Sequence, residues 1–120
     1  MTSQAPWAVS PEEIDLEAPI RIEGEMTIYS ASACNTRLMA ALLRRSGRPA
    51  AIDLSRVTEI DTAGLQILLM ARRVAAVRGG SVALIDPSPP ARELLELCGL
   101  QGLIAESGRA ESHPTPAVAA

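Results

Sequence analysis

Asp53-Leu54-Ser55-Arg56-Val57-Thr58-Glu59-Ile60-Asp61-Thr62-Ala63-Gly64-Leu65 joins two readable stretches of this 120-residue chain, and its reading decides the fold. Ahead of it, Pro49 opens Ala50-Ala51-Ile52-Asp53-Leu54, a short apolar run suited to a buried strand. Behind it, a long helix is expected from about Ala63. Its cleanest stripe is Ile67, Met70, Ala71, Val74 and Val77, widened in the first turns by Leu65, Leu68 and Leu69. Gly79-Gly80 then precedes a second apolar run, Val82-Ala83-Leu84-Ile85. Strand, helix, strand across this length is a βαβ unit, so the two strands are expected to be parallel and the crossover right-handed.

The joining segment is therefore expected to leave the C-terminal edge of a parallel strand, where open α/β sheets place their binding sites. Thr62 is expected at that mouth, its hydroxyl accepting a hydrogen bond from a backbone N–H of the first helical turn. Asp61 would add a favourable negative charge there, and Gly64 would let another chain approach the backbone. The plainer reading of Asp61 and Thr62 is a helix cap worth about 1 kcal/mol.

Outward from this unit, Pro19 to Glu23 alternates apolar and charged residues, Gly24-Glu25 reads as a turn, and Met26 to Tyr29 resumes an extended pattern: a hairpin is expected. Ala31 to Ser46 reads as an amphipathic helix on Cys34, Leu38, Ala41 and Leu42, with Ser30 or Ser32 as N-cap and Gly47 beyond its end. Arg37, Arg44, Arg45 and Arg48 are expected on or near its solvated side. Ser88-Pro89 supplies an N-cap and an N1 proline for a last helix on Ala91, Leu94, Leu95 and Cys98, stopped by Gly99. The sum is a single α/β domain over 16–105, a mixed sheet of four to five strands with a parallel βαβ core and helices packed on it. Residues 1–15, with Trp7, and the tail 106–120, with His113, are expected to be loose.

Composition narrows the function. An apolar fraction of 48% and a charged fraction of 21% are those of a folded soluble domain. A net charge of −3 offers no field for nucleic acid or an anionic membrane, although all 11 basic residues are arginine. No apolar run approaches the roughly 20 residues that span a bilayer, and the N-terminus lacks a signal-peptide pattern, so a cytoplasmic location is expected. Cys34 and Cys98 lack CxxC spacing and are read as core thiols; His113 stands without metal-ligand neighbours. No Ser-His-Asp set, HExxH, GxGxxG or Walker A pattern is present. Asp53 and Asp61 as paired carboxylates are a poor basis for catalysis without a histidine or lysine in the folded region, so neither an enzyme nor a cofactor is expected.

Asp-Leu-Ser, a short link, and Asp-Thr-Ala-Gly-Leu opening an apolar helix together resemble the signature segment of STAS domains, the anti-sigma factor antagonists and their relatives. The likeness runs from about Pro19 to about Ile104 and includes Gly-Gly-Ser-Val-Ala-Leu-Ile-Asp-Pro-Ser-Pro-Pro before the last helix. The resemblance implies a STAS-like (SpoIIAA-like) fold and a regulatory binding module whose partner is a histidine-kinase-like ATPase, an anti-sigma factor or chemotaxis kinase. It implies Thr62 as phospho-acceptor, and a docking surface that Asp53, Ser55, Asp61, Thr62, Ala63, Gly64 and Leu65 line or support. A phosphate there would add roughly −1.5 to −2 charge at the interface and dissolve the complex, while the helix N-terminus would accommodate it. Many antagonists have Ser-Ser where this chain has Thr62-Ala63. The segment is also similar to the small STAS subunit of the phospholipid-trafficking ABC transporter, where the threonine contacts an ATPase subunit. Chemotaxis-associated STAS proteins are similar both here and in Met-Thr-Ile-Tyr-Ser, which would bring Tyr29 and Ser30 to the docking edge; a core-flanking tyrosine and an N-cap are the plainer readings.

Overall fold

The computed structural model describes residues 16–105. The expectations for 1–15 and 106–120, Trp7 and His113 included, fall outside them. In chain order the elements are β1 (Ile20–Met26), α1 (Ala31–Leu43), β2 (Pro49–Ile60), α2 (Thr62–Val77), β3 (Ser81–Ile85), α3 (Pro89–Leu97) and a two-residue β4 (Ile104–Ala105) after a short 3-10 turn. The sheet order is β1-β2-β3-β4 and the three pairings are parallel. Each crossover steps one strand in the same direction, and the right-handed rule then stacks the helices on one face. One core cluster draws on all of them, with Leu38 and Cys34 from α1, Leu65 and Leu68 from α2, and Ala91 and Leu95 from α3, against Ile22, Met26, Ile52, Leu54 and Leu84 of the strands.

The expected hairpin does not form. Ile20, Ile22, Gly24 and Met26 of β1 all point inward while Arg21 and Glu25 are exposed, so the period of two runs through Gly24 uninterrupted. Gly24, at φ +96°, sits where the ladder to β2 shifts register, not where the chain reverses. A left-handed residue at such an irregularity suits glycine for want of a Cβ.

The larger difference lies in β2, which does not end near Leu54 but runs twelve residues to Ile60. Its partners show why the sequence hid this. Arg21 pairs with Asp53, Glu23 with Arg56, and Glu25 with Glu59, so β2 gains an extra residue twice over that span. Each irregularity resets the alternation, giving buried Ala50, Ile52 and Leu54, then Val57. A strand whose period slips reads as a loop. β3 pairs only up to Asp53, leaving the second half of β2 with β1 alone, as a two-stranded ribbon projecting past the rest of the sheet.

The buried face of α2 is Gly64, Leu65, Ile67, Leu68, Ala71 and Ala75, rotated from the expected stripe; Met70 and Val77 are exposed. Small residues take the close approach to the sheet, and a pattern weighted toward bulky side chains misplaces the face. Cys34 is buried as expected and Cys98 is exposed, one position past the end of α3. Arg45 also departs from expectation: it is buried, its guanidinium donating to the carbonyl of Ala41 at 3.0 Å and to that of Ala18 at 3.4 Å. It thereby satisfies a carbonyl of the last turn of α1 and ties that turn to the entry of β1.

Candidate functional site

Because β1 and β2 are parallel and Met26 pairs with Ile60, the chain leaves both strands at the same level of the ribbon tip. Residues 27–30 lead from one strand into α1, and Asp61 leads from the other directly into α2. Two helix entrances therefore lie side by side.

Asp61, not Thr62, is the N-cap of α2. Its Oδ1 accepts from the backbone N–H of Ala63 at 2.9 Å and of Gly64 at 3.2 Å. Its Oδ2 accepts from Ile28 N–H at 3.0 Å, and its own N–H donates to Met26 O at 3.3 Å. One carboxylate thus caps a helix and fixes the neighbouring turn. Ser30 holds that turn from within. Its hydroxyl donates to Glu25 O at 2.8 Å and accepts from Thr27 N–H at 3.0 Å, so it heads α1 without capping it by its side chain.

What this scaffold presents is Thr62 at the first helical position, exposed, beside Ile28 and Tyr29, which are 67% and 94% exposed. A tyrosine held almost wholly, and a β-branched residue held largely, in water on a hydrogen-bonded turn add little to the core. Tyr29 is therefore an edge residue and not core-flanking. Ile28 was missed because the stretch reads as a strand; the signal for a turn is Ser30 three residues after Thr27, at the head of a helical pattern. Glu25 and Glu59 face each other across the strands just below, and their like charges make the rim acidic.

The expected site residues divide. Asp61, Thr62 and Ala63 are at the tip. Gly64 is there too but buried, and its freedom serves the fold itself: a Cβ would run into Met26 O and come within 2.8 Å of Met26 Cβ and 2.9 Å of Ile60 Cγ1. It lets α2 seat on the ribbon; it does not admit another chain. Leu65, 4% exposed, faces the core and only supports the edge. Asp53 is a strand residue about 17 Å down the ribbon, taking five residues of β1 at roughly 3.3 Å each, and Ser55 lies on the same strand somewhat nearer the tip. There Asp53 accepts from Ser55 N–H at 2.8 Å and approaches Arg21 at 3.7 Å, a local pairing on the sheet surface. Asp53 and Asp61 are thus far apart and do not form a carboxylate pair.

The geometry also revises the expected fate of a phosphate. The Ala63 and Gly64 N–H groups that would receive it already hold Asp61, so a phosphate on Thr62 would meet a carboxylate beside it and find fewer free donors than a bare helix N-terminus offers. Among the described residues there is no cluster of three metal-ligating side chains, and no helix long and apolar enough to cross a membrane.

Comparison with known proteins gives this arrangement its context. The family described as "Mlab, STAS domain" matches residues 12–105. The chain is 26% identical over 81 residues to an anti-sigma F factor antagonist of Paenibacillus polymyxa, covering 68% of this chain and 69% of that one. It is 28% identical over 103 residues to an anti-sigma-B factor antagonist of Bacillus subtilis (strain 168), covering 86% and 91%. Among solved structures, the anti-sigma factor antagonist SpoIIAA in its unphosphorylated form superposes with a TM-score of 0.63 at 21% identity, over 87% of this chain and 90% of that one. Its phosphorylated form from Bacillus gives 0.60 at 19%, over 87% and 93%. The ribbon tip with its Asp61-capped helix is therefore built on the SpoIIAA-like fold, and the chain belongs to the STAS domain family as an anti-sigma factor antagonist-like member.

Proposed function

We propose that this protein is a non-enzymatic regulatory module that docks a histidine-kinase-like ATPase, an anti-sigma factor or a chemotaxis kinase, through the ribbon tip, and that phosphorylation of Thr62 releases it. The observation that carries the reading is the exposure of Thr62, Ile28 and Tyr29 on a scaffold that Asp61 and Ser30 hold in place. Such a surface is pre-organised, with little ordering entropy left to lose on binding. Its apolar centre is Ile28 and Tyr29, and its hydroxyl stands where added charge does most harm. A phosphate on Thr62 joins Asp61 and the acidic rim of Glu25 and Glu59, concentrating negative charge at the contact. Relatives named as anti-sigma factor antagonists, one of them solved phosphorylated and unphosphorylated, support this reading.

The Asp61 cap favours a second reading. With two of the first-turn amides already held by Asp61, a phosphate is poorly cradled, and Thr62 then serves as a static contact in a constitutive subunit of an ABC-type ATPase.

Pull-down from native lysate with wild type, Thr62→Glu, Thr62→Ala and Tyr29→Ser, with bound proteins and phosphosites identified by mass spectrometry, separates the two. A kinase-like ATPase lost with Thr62→Glu and Tyr29→Ser and retained with Thr62→Ala is the expected result. Transporter subunits bound equally by wild type and Thr62→Glu would establish the static reading and end the switch.

A further inference from the structure

The layer formed by α1 and α2 has an outer face that neither the core nor the ribbon tip uses. From Thr27 to Ile52 and from Thr62 to Ile85 the sequence contains no carboxylate, in a chain of net charge −3. The same stretches carry Arg37, Arg44 and Arg48 on α1 and its exit, and Arg72, Arg73 and Arg78 on α2 and its exit. Positive charge is thus gathered on the helix layer while the acidic rim occupies the ribbon.

Leu42 of α1 and Val74 and Ala75 of α2 line one small cavity, which fixes the flanks by which the helices face each other. At about 100° per residue, the positions outward from that seam are Asn35, Met39 and Leu43 on α1 and Ala63, Met70 and Val77 on α2. Leu43, Met70 and Val77 are 46%, 47% and 82% exposed, and Met39 is half-buried. By the same rotation Arg37 and Arg44 fall on the far flank of α1 and Arg72 on the far flank of α2, while Arg73 stands on the outer crest of α2 next to Val77. Arg48 and Arg78 line the cavity where both helices finish, and Arg48 also reaches Glu17 at 4.0 Å. A largely apolar seam is thus bordered by arginine on both helices.

We infer that this seam is a second docking surface whose occupant is an acidic amphipathic helix of another protein. The trough between two packed helices is the shape that receives a helix, with apolar anchors at i, i+3, i+4 and i+7. Methionine adapts to such anchors, and guanidinium forks pair with the carboxylates that flank them. Charge complementarity selects the acidic partner, because a segment free of carboxylates repels a basic one. A lipid surface is less well matched, since the face has no aromatic residue to settle at a headgroup boundary. Nucleic acid would leave the central apolar strip unused. The surface is distinct from the ribbon tip, Arg73 lying about 16 Å along α2 from Thr62 at about 1.5 Å per residue.

The test places a photo-crosslinking amino acid at Met70 of the full chain in cells, maps the adducts by mass spectrometry, and titrates the captured protein against purified variants. The inference predicts an adduct on a helical segment with carboxylates beside its apolar residues. It also predicts affinity falling at least tenfold in Arg44→Ser/Arg73→Ser, falling with added salt, and holding in Thr62→Glu. Circular dichroism of the double variant checks that the fold is intact. Adducts confined to lipid, nucleic acid, a second copy or residues 1–15 of the same chain would overturn it, as would unchanged affinity in the double variant or no adduct. Loss of the captured protein with Thr62→Glu would assign it to the ribbon tip and leave the seam without a partner of its own.

Discussion

Replacing Asp61 with asparagine and with alanine separates the two tasks of its carboxylate. Alanine removes both. The lost cap costs about 1 kcal/mol. The bond from Ile28 N–H is charge-assisted, but Ile28 is largely exposed and water replaces the acceptor, so its loss adds only about 0.5–1 kcal/mol, as for an ordinary neutral bond. Asparagine keeps one oxygen for the Ala63 and Gly64 amides and places an NH2 where Oδ2 met Ile28 N–H, donor against donor. Flipping the amide only moves the conflict to the helix amides. The expected losses are about 1.5–2 kcal/mol for Asp61→Ala and about 0.5–1 kcal/mol for Asp61→Asn. With a urea slope near 1.5 kcal/mol/M these lower the unfolding midpoint by roughly 1.2 M and roughly 0.5 M. Urea unfolding followed at 222 nm measures both, and hydrogen exchange at Ile28 should quicken in each variant. The reasoning fails if Asp61→Asn unfolds with wild type and leaves Ile28 exchange unchanged, or if it falls as far as Asp61→Ala.

Gly64→Ala gains up to about 1 kcal/mol of helix propensity but overpacks the ribbon, a cost near the upper end of 1–3 kcal/mol because the obstacle is Met26 backbone. The melting temperature should drop by several degrees, and a rise would refute the close seating of α2. Ser30→Ala leaves the Thr27 N–H without its hydroxyl acceptor and should cost about 1–2 kcal/mol in chemical denaturation, where a change below about 0.3 would show the turn to be held otherwise. Burial pushes the Cys34 thiol from 9.0 up to about 11, so the native protein should alkylate at the exposed Cys98 and not at Cys34; equal labelling rates would contradict the burial. The same shift has a sign in stability. Between pH 9 and about 11 the unfolded chain releases the Cys34 proton and the native state keeps it, so stability present below pH 9 erodes as pH rises. Wild type should lose more over that interval than Cys34→Ala.

The sequence by itself determined whatever rests on local chemistry repeated at a fixed period. The βαβ unit, the last helix with its Ser88 cap, and the burial of Cys34, Leu38, Leu68 and Leu95 follow from apolar spacing, glycine stops and proline placement. The Asp-Thr-Ala-Gly segment announced a helix entrance at a strand end. What only the tertiary structure decided rests on contacts between segments distant in sequence. β2 keeps its strand through two register shifts because β1 continues to pair with it, and no period within the strand itself records that. Thr62 and Asp61 compete for the cap on equal local terms, and Ile28, thirty-three residues earlier, settles the matter by offering a second amide to the aspartate. Tyr29 leaves the core, and Gly64 enters it, for the same reason: the ribbon tip brings two helix entrances together, and a linear pattern of apolar residues has no term for a neighbour that arrives from another strand.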